Sequence, residues 1–155
     1  MSSAVKTKAE AKPLYERDFY AWCYAQADLL ESGRLGELDR ANVAEELRDL
    51  GSEKFNALSS AYRVLLVHML KWDHQPERRS KSWRLSIANQ RIEIVELLED
   101  NPSLKSRRRE ALDRAYPKAR NEAIGETDLD DAVFPERCPY ADDEIMSRAF
   151  DWPPK

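Results

Sequence analysis

The sequence contains little glycine, only two cysteines and no hydrophobic segment long enough to span a membrane. The two cysteines, Cys23 and Cys138, are too few for a disulfide scaffold and lack the C-x-x-C spacing of a zinc site, which favours a reducing compartment. The first twelve residues are short and polar, without the apolar segment of a secretory signal. We therefore expect a cytoplasmic protein that has no membrane partner.

The scarcity of glycine and the lack of alternating β-branched runs favour helices over sheets. Hydrophobic residues make up 42% of the sequence and charged residues 35%, as is typical of amphipathic helices in a soluble protein. A chain of 155 residues is long enough to form one domain with its own core. We predict an all-α, single-domain bundle at residues 13–155, preceded by a disordered leader at residues 1–12. The bundle has four main helices, a short C-terminal helix and an irregular C-terminal arm.

The stretch from Phe55 to Pro76 is predicted to be the central helix, because its large apolar residues follow helical spacing. The residues that mark this face are Phe55, Leu58, Tyr62, Leu65, Met69 and Trp72. Neighbouring apolar residues widen the face until little of the helix is left for solvent. Upstream, Gly51 and Ser52 are expected to break or sharply bend the chain, since glycine costs about 1 kcal/mol inside a helix.

The helices on either side of this central helix are placed by similar patterns. The first is expected to run from Leu14 to a left-handed stop at Gly33, and the next to be capped by Asp39. A later helix begins after a serine cap and has two apolar stripes, which predicts packing against neighbours on two sides. The second of these stripes consists of Leu85, Ala88, Ile92 and Val95. The last long helix is expected to start at Ser103 and to kink at Pro117.

Several spaced motifs together resemble a known bacterial family. They are YERDFYAW, LDRANVAEELRDLG, LLVHMLKWDHQPE, SWRLSIANQR and NPSL, followed by AYPKAR, ET and FPERCPY. In this order they are similar to domain of unknown function 29, a family known chiefly from cyanobacteria and proteobacteria. Pro117 within AYPKAR departs from the family pattern. The resemblance implies an all-helical, single-domain bacterial protein and carries over no activity, substrate or cofactor.

The end of the central helix is where polar and aromatic side chains leave the core together. We predict a binding surface there, continued by the start of the following helix, that consists of His68, Lys71, Trp72, Gln75, Trp83, Arg84 and Arg91. Tryptophan next to lysine or arginine forms a platform for an anionic or aromatic group. The same cations could equally cover the indoles and serve the helix ends, and His68 fits a structural role better than a catalytic one. We therefore expect a small binding or adaptor module with an unknown protein partner and without catalytic activity or cofactor.

An acidic cluster formed by Glu46, Asp49 and Glu53 has the spacing of one helix face. Carboxylates in this arrangement can hold a divalent cation, but the Glu-x-x-His pairs of a di-iron bundle do not occur. A solvated face with local ion pairs explains the cluster better, so we expect no metal. A hydrolase or nuclease that uses Glu46 or Glu53 with His68 is a further alternative.

The charge of the chain is unevenly distributed although its net charge is only −4. Residues 78–120 contain 12 basic and 6 acidic side chains, whereas residues 121–155 contain 3 and 10. The basic segments at residues 78–84 and 105–109 make a nucleic-acid-associated protein a second alternative. An acidic pI near 5.4 and the absence of a recognisable reading motif argue against it. The sequence leaves the oligomeric state open.

Overall fold

The computed structural model describes residues 12–153, and within them all regular secondary structure is helical. The six α-helices are α1 Leu14–Arg17, α2 Phe19–Glu31, α3 Arg40–His74, α4 Lys81–Asp100, α5 Arg108–Glu126 and α6 Asp142–Ser147. Four of them are long and the last is short, so the predicted all-α class is confirmed. The predicted leader lies outside the described residues except for Lys12. The chain divides after Leu50 into two compact units, and the single-domain organisation stays a prediction.

The N-terminal unit is organised around Trp22, whose indole is buried. The indole Nε1 donates to Asp39 at 3.1 Å, and the Asp39 amide donates to Gln26 at 2.7 Å. The Asp39 carboxylate also accepts from the Asn42 backbone amide at 3.5 Å, which is the hydrogen bond of an N-cap, and from the Asn42 side chain at 2.7 Å. Gly33 adopts a positive φ of 70° just beyond α2, as predicted for a helix stop.

The first predicted helix is in fact two helices, because Asp18 interrupts it. The Asp18 carboxylate accepts a hydrogen bond from the Ala21 amide at 3.0 Å and so caps a new helix, α2. Asp18 itself has an extended backbone with φ −153°, which ends α1 after one turn. The apolar stripe Tyr15, Phe19 and Trp22 continues across this interruption as a cluster of edge-to-face and stacked rings.

Helix α3 is continuous over 35 residues, so the predicted break at Gly51 is wrong. The cost of one exposed glycine, about 1 kcal/mol, is smaller than the loss of several consecutive helical hydrogen bonds. From Phe55 to Trp72 the helix forms the core of the second unit. Leu58, Leu65 and Met69 are completely buried there.

Helix α4 enters the core of the second unit through one apolar face. Ser80 caps it by accepting from the Trp83 amide at 3.2 Å, and Ile87, Ile94 and Leu98 enter the core. The prediction that the second stripe also packs against a neighbour is wrong. Its large members are 41–56% exposed.

Helix α5 and the C-terminal arm complete the second unit. Ser103 does not cap α5, because a 3-10 helix at Pro102–Arg107 precedes it and α5 begins at Arg108. Pro117 lies inside α5 without ending it. The arm is fixed by Phe134, Tyr140 and Phe150, which are buried as expected, whereas Trp152 is 39% exposed.

Candidate protein-binding surface

Lys71 and Trp83, two residues of the predicted binding surface, contact each other. The Lys71 ammonium lies 4.7 Å from the centre of the Trp83 ring and forms an ion pair with Glu126 at 2.5 Å. The Lys71 side chain is only 12% exposed. Its charge is therefore already engaged within the unit by Glu126 and the Trp83 ring.

Trp72 of α3 and Arg91 of α4 both hold the C-terminal arm. Trp72 is buried with its ring edge against Phe150, at 5.4 Å between ring centres. Arg91 also lies over Phe150 and donates to the carbonyl oxygens of Ile145 and Arg148, both at 2.8 Å. Burial lowers the pKa of the Arg91 guanidinium, with a further contribution from the charge of Arg148. These contacts give Trp72 and Arg91 a role in folding the arm.

The remaining predicted surface residues are partly or fully inside the unit. The Nδ1 atom of His68 lies 2.8 Å from the Val64 carbonyl one turn earlier, and the ring is half-buried. Gln75 is buried. The Nε atom of Arg84 is buried and has no hydrogen-bond partner within residues 12–153. The seven predicted residues thus divide into separate groups instead of forming one platform.

Asp73, which the sequence analysis did not single out, is the central residue of the arm contact. Its carboxylate accepts from Arg148 at 2.5 and 2.9 Å and from the Tyr140 hydroxyl at 2.9 Å. Burial alone would raise the pKa of Asp73, but the hydrogen bonds from Arg148 and Tyr140 outweigh it and hold the pKa below its ordinary value. Burial and the Asp73 charge raise the pKa of Tyr140 far above its ordinary value.

The acidic cluster does not act as a single group. Glu46 accepts the Tyr15 hydroxyl at 2.5 Å in the N-terminal unit, and this hydrogen bond, with burial and nearby acidic charges, raises the pKa of Tyr15 to about 12. Asp49 and Glu53 are exposed. Within residues 12–153 no three His, Cys, Asp or Glu side chains form a group that could hold a metal ion.

The proposed hydrolase pair is also not assembled by the second unit. Glu53 and His68 lie on the same helix fifteen positions apart, which corresponds to about 22 Å along its axis. A proton-transfer pair requires hydrogen-bond distance, directly or through one water. The geometry therefore keeps these two side chains apart.

The two basic segments lie at opposite ends of α4. Residues 78–84 include the first turn of this helix and residues 105–109 follow its end, so about 24 Å of helix separates them. Arg107 pairs with Glu110, and Arg109 pairs with Asp113 and Asp142. The cations of the second segment are thus mainly engaged within the fold, and the two segments do not form one continuous stripe.

The apolar side of α4 is the surface that the sequence analysis assigned to the interior. We call Leu85, Ala88, Ile92 and Val95 the α4 stripe. Leu85 is 41% exposed, Ile92 56% and Val95 45%. Beside the stripe lies a shallow groove of about 410 Å³ that is also lined by Arg91 and Met146. The regular spacing was visible in the sequence, but it does not reveal whether a neighbour within the chain covers the face.

No α-helix in the described part of the chain is both long and apolar enough to cross a membrane. No curated protein and no solved structure matches the chain significantly. Residues 14–151 match the family model described as Domain of unknown function DUF29. Because this match spans nearly the whole sequence, the chain belongs to that family.

Proposed function

We propose that the protein is a small helical protein-binding module that pairs with a second copy of itself through the α4 stripe. The observation that carries the proposal is a line of large apolar side chains, 41–56% exposed, along a helix whose opposite face is in the core. Large exposed apolar surface of this kind marks interaction sites in soluble proteins. A binding role is therefore the function this surface supports best.

The spacing of the α4 stripe fits pairing with another helix. Leu85, Ala88, Ile92 and Val95 recur at steps of three, four and three, and Lys81 and Glu99 extend the same line by four residues at each end. Alternating steps of three and four are the pattern of a two-helix seam. In an antiparallel pair centred near residue 90, Leu85 of one copy meets Val95 of the other, and Ala88 meets Ile92.

The charge distribution of α4 favours a second copy of the protein as the partner that covers the α4 stripe. The helix and the turn before it carry four basic residues and one acidic residue at the N-terminal end, namely Arg78, Arg79, Lys81, Arg84 and Glu77. The C-terminal half carries four acidic residues and one basic residue, namely Glu93, Glu96, Glu99, Asp100 and Arg91. An antiparallel pair brings each basic end next to the acidic end of the other copy, with Lys81 opposite Glu99. A parallel pair would bring like charges together. The helix is thus complementary to itself in one orientation, as a two-fold symmetric interface requires.

The expected affinity is modest because the seam is short. A helix of 20 residues is about 30 Å long and presents one narrow stripe. Interfaces of this size lie at the small end of specific complexes, so we expect a dissociation constant on the order of micromolar.

The mass of the protein in solution tests the pairing. We expect analytical ultracentrifugation to show conversion of an 18.0 kDa species to one of twice that mass as concentration rises. Ile92→Glu places a charge in the seam and is expected to leave the protein monomeric. Val133→Glu, the same kind of change at a position 40% exposed outside α4, is the matched control and is expected to dimerise normally. A wild-type protein that stays monomeric at several hundred micromolar would overturn the proposal.

Exchanging the charges at Lys81 and Glu99 tests whether the two α4 helices pair in antiparallel orientation. Lys81→Glu and Glu99→Lys are each expected to weaken dimerisation severalfold, because each places like charges opposite one another. The double variant restores opposite charges and is expected to recover most of the wild-type affinity. If the double variant is weaker than both single variants, the antiparallel arrangement is wrong even though α4 still pairs.

Of the predicted corner from Lys71 to Arg84, only the end formed by Trp83 and Arg84 adjoins the α4 stripe and remains part of the proposed surface. Trp83 and Arg84 come directly before Leu85, whereas Lys71 is largely covered. We expect Arg84→Ala to alter dimer affinity and Lys71→Ala to have little effect. A cytoplasmic location is also proposed, and the free thiols of Cys23 and Cys138 fit a reducing compartment.

A further inference from the structure

A second surface of the same unit has the chemistry of an anion site. A cavity of about 170 Å³ between α3 and α5 is lined by Arg63, Arg114 and Lys118, together with neutral groups that include Asn56 and Ser60. No carboxylate lines it. This groove lies outside both basic segments that the sequence indicated, because its cations come from two helices far apart in the chain.

The cations of the groove differ in how they are held. Arg63 pairs with Glu122, and the Arg114 guanidinium donates to the Asn56 side-chain oxygen at 3.0 Å and lies over the Phe55 ring. These contacts orient both guanidinium groups. Lys118 is exposed and forms no ion pair within residues 12–153. Because Glu122 neutralises Arg63, the groove offers the net charge of Arg114 and Lys118, which suits an oxyanion that carries two charges.

A second groove without cations adjoins the cationic one at Ser60, which lines both. It lies between α3 and α4, has a volume of about 370 Å³, and is lined mainly by small apolar groups with Asn89 and Gln90. Glu93 also lines it and disfavours an anion on that side. A ligand that spans both grooves would therefore place its charged end near Lys118 and an uncharged polar body near Gln90.

We propose that these adjoining grooves bind the phosphomonoester of a small polar organic molecule, with the phosphoryl group between Arg63, Arg114 and Lys118. The cationic groove has room for about five water molecules. This volume is enough for a phosphoryl group but not for the rest of such a molecule. Carboxamide side chains in the second groove supply donors and acceptors for hydroxyl groups. This proposal is independent of pairing through α4.

Titration of the full chain by calorimetry tests the proposal with three probes, namely ribose 5-phosphate, inorganic phosphate and ribose. We expect ribose 5-phosphate to bind about tenfold more tightly than inorganic phosphate, and ribose not to bind. Binding of ribose 5-phosphate is expected to strengthen from pH 5 to pH 7.5, because the second ionisation of a phosphomonoester has a pKa near 6.

Matched variants test the cationic groove and the adjoining groove near Gln90 separately. Lys118→Gln and Arg114→Gln remove exposed charges and are each expected to weaken both phosphate probes about tenfold. Lys105→Gln makes the same charge change on an exposed position outside the groove and is expected to have no effect. Gln90→Ala is expected to weaken ribose 5-phosphate and leave inorganic phosphate unchanged.

Three results would overturn the proposal. No heat from either phosphate probe would exclude the anion site. Equal affinity of both phosphate probes, unchanged by Gln90→Ala, would show a site for free phosphate instead of an organic phosphomonoester. Tight binding of a single-stranded oligonucleotide without binding of ribose 5-phosphate would assign the cations to a nucleic-acid backbone.

Discussion

At the scale of single residues, Asp73 connects the core helix to the C-terminal arm. Its two hydrogen bonds from Arg148 join residues 75 positions apart, and its third partner is the buried Tyr140. The Asp73 and Arg148 side chains are only 25% and 29% exposed, so solvent screens their ion pair less than a surface pair. The arm therefore depends on one carboxylate whose partners are distant in sequence.

Replacing this carboxylate is expected to destabilise the protein. Asp73→Asn removes the charge that Arg148 faces and should lower the free energy of unfolding by about 2 kcal/mol, a value typical of hydrogen bonds to charged groups. Urea denaturation at pH 7 measures the change. Asp113→Asn is the control, because its pair with Arg109 is 57–64% exposed and is expected to contribute much less to stability. Equal losses for the two variants would contradict the role assigned to Asp73.

The ionisation of Asp73 predicts that the stability of the protein depends on pH. The pKa of Asp73 is lower in the folded protein than in the unfolded chain, so its contribution to stability is present above the unfolded value and is lost as pH falls through the folded value. The difference in stability between wild type and Asp73→Asn should thus be constant from pH 6 to 8 and shrink below about pH 4. A difference that stays constant down to pH 2 would show that the charge of Asp73 does not carry the effect.

Some residue roles could be predicted from the sequence because the interacting atoms belong to residues that are close together along the chain. The Ser80 and Asp39 caps and the Gly33 stop act on atoms within a few residues, so local chemistry predicts them. The pairing of Asp73 with Arg148 depends on how the arm folds back, which no local pattern specifies. Lys71 and Trp83 were predicted to meet because only a short turn separates their helices.

At the scale of elements, α3 shows that the low helix propensity of one residue does not interrupt a long helix. Gly51 has no special backbone conformation, since Gly33 is the glycine with positive φ among the described residues. A β-carbon added at Gly51 would meet no atom within 4 Å. The glycine is thus tolerated in a continuous helix and is not required by the backbone there.

Exchange of this glycine for alanine is expected to stabilise the protein. Gly51→Ala should raise the free energy of unfolding by about 1 kcal/mol, because alanine has the higher helix propensity and lowers the entropy of the unfolded chain. Gly33→Ala, also in open space but at φ 70°, should lower it by about 1 kcal/mol. Urea denaturation of both variants measures the contrast. A loss of stability with Gly51→Ala would mean that α3 needs flexibility at this point.

Helix α4 shows the limit of periodicity at the same scale. Its two stripes are both apolar and both regular, yet Ile87 and Ile94 are buried while Ile92 is 56% exposed. A periodic pattern identifies a face that avoids water but does not identify what covers it. The cationic groove escaped prediction for a related reason, since Arg63 and Arg114 meet only after α3 and α5 have packed.

At the scale of the whole molecule, pairing through α4 predicts that thermal stability depends on protein concentration. Association with a second folded copy favours the folded state by mass action, so Tm should rise by about 2 °C for each tenfold increase in concentration above the dissociation constant. Ile92→Glu should abolish this dependence and leave Tm at the low-concentration wild-type value, since position 92 is largely exposed in the single chain. Val133→Glu should retain the wild-type slope. Differential scanning calorimetry over a hundredfold range of concentration measures all three. If Tm rises with concentration equally for wild type and Ile92→Glu, the protein self-associates through a different surface. A seam that contains position 92 would bury the glutamate and lose affinity.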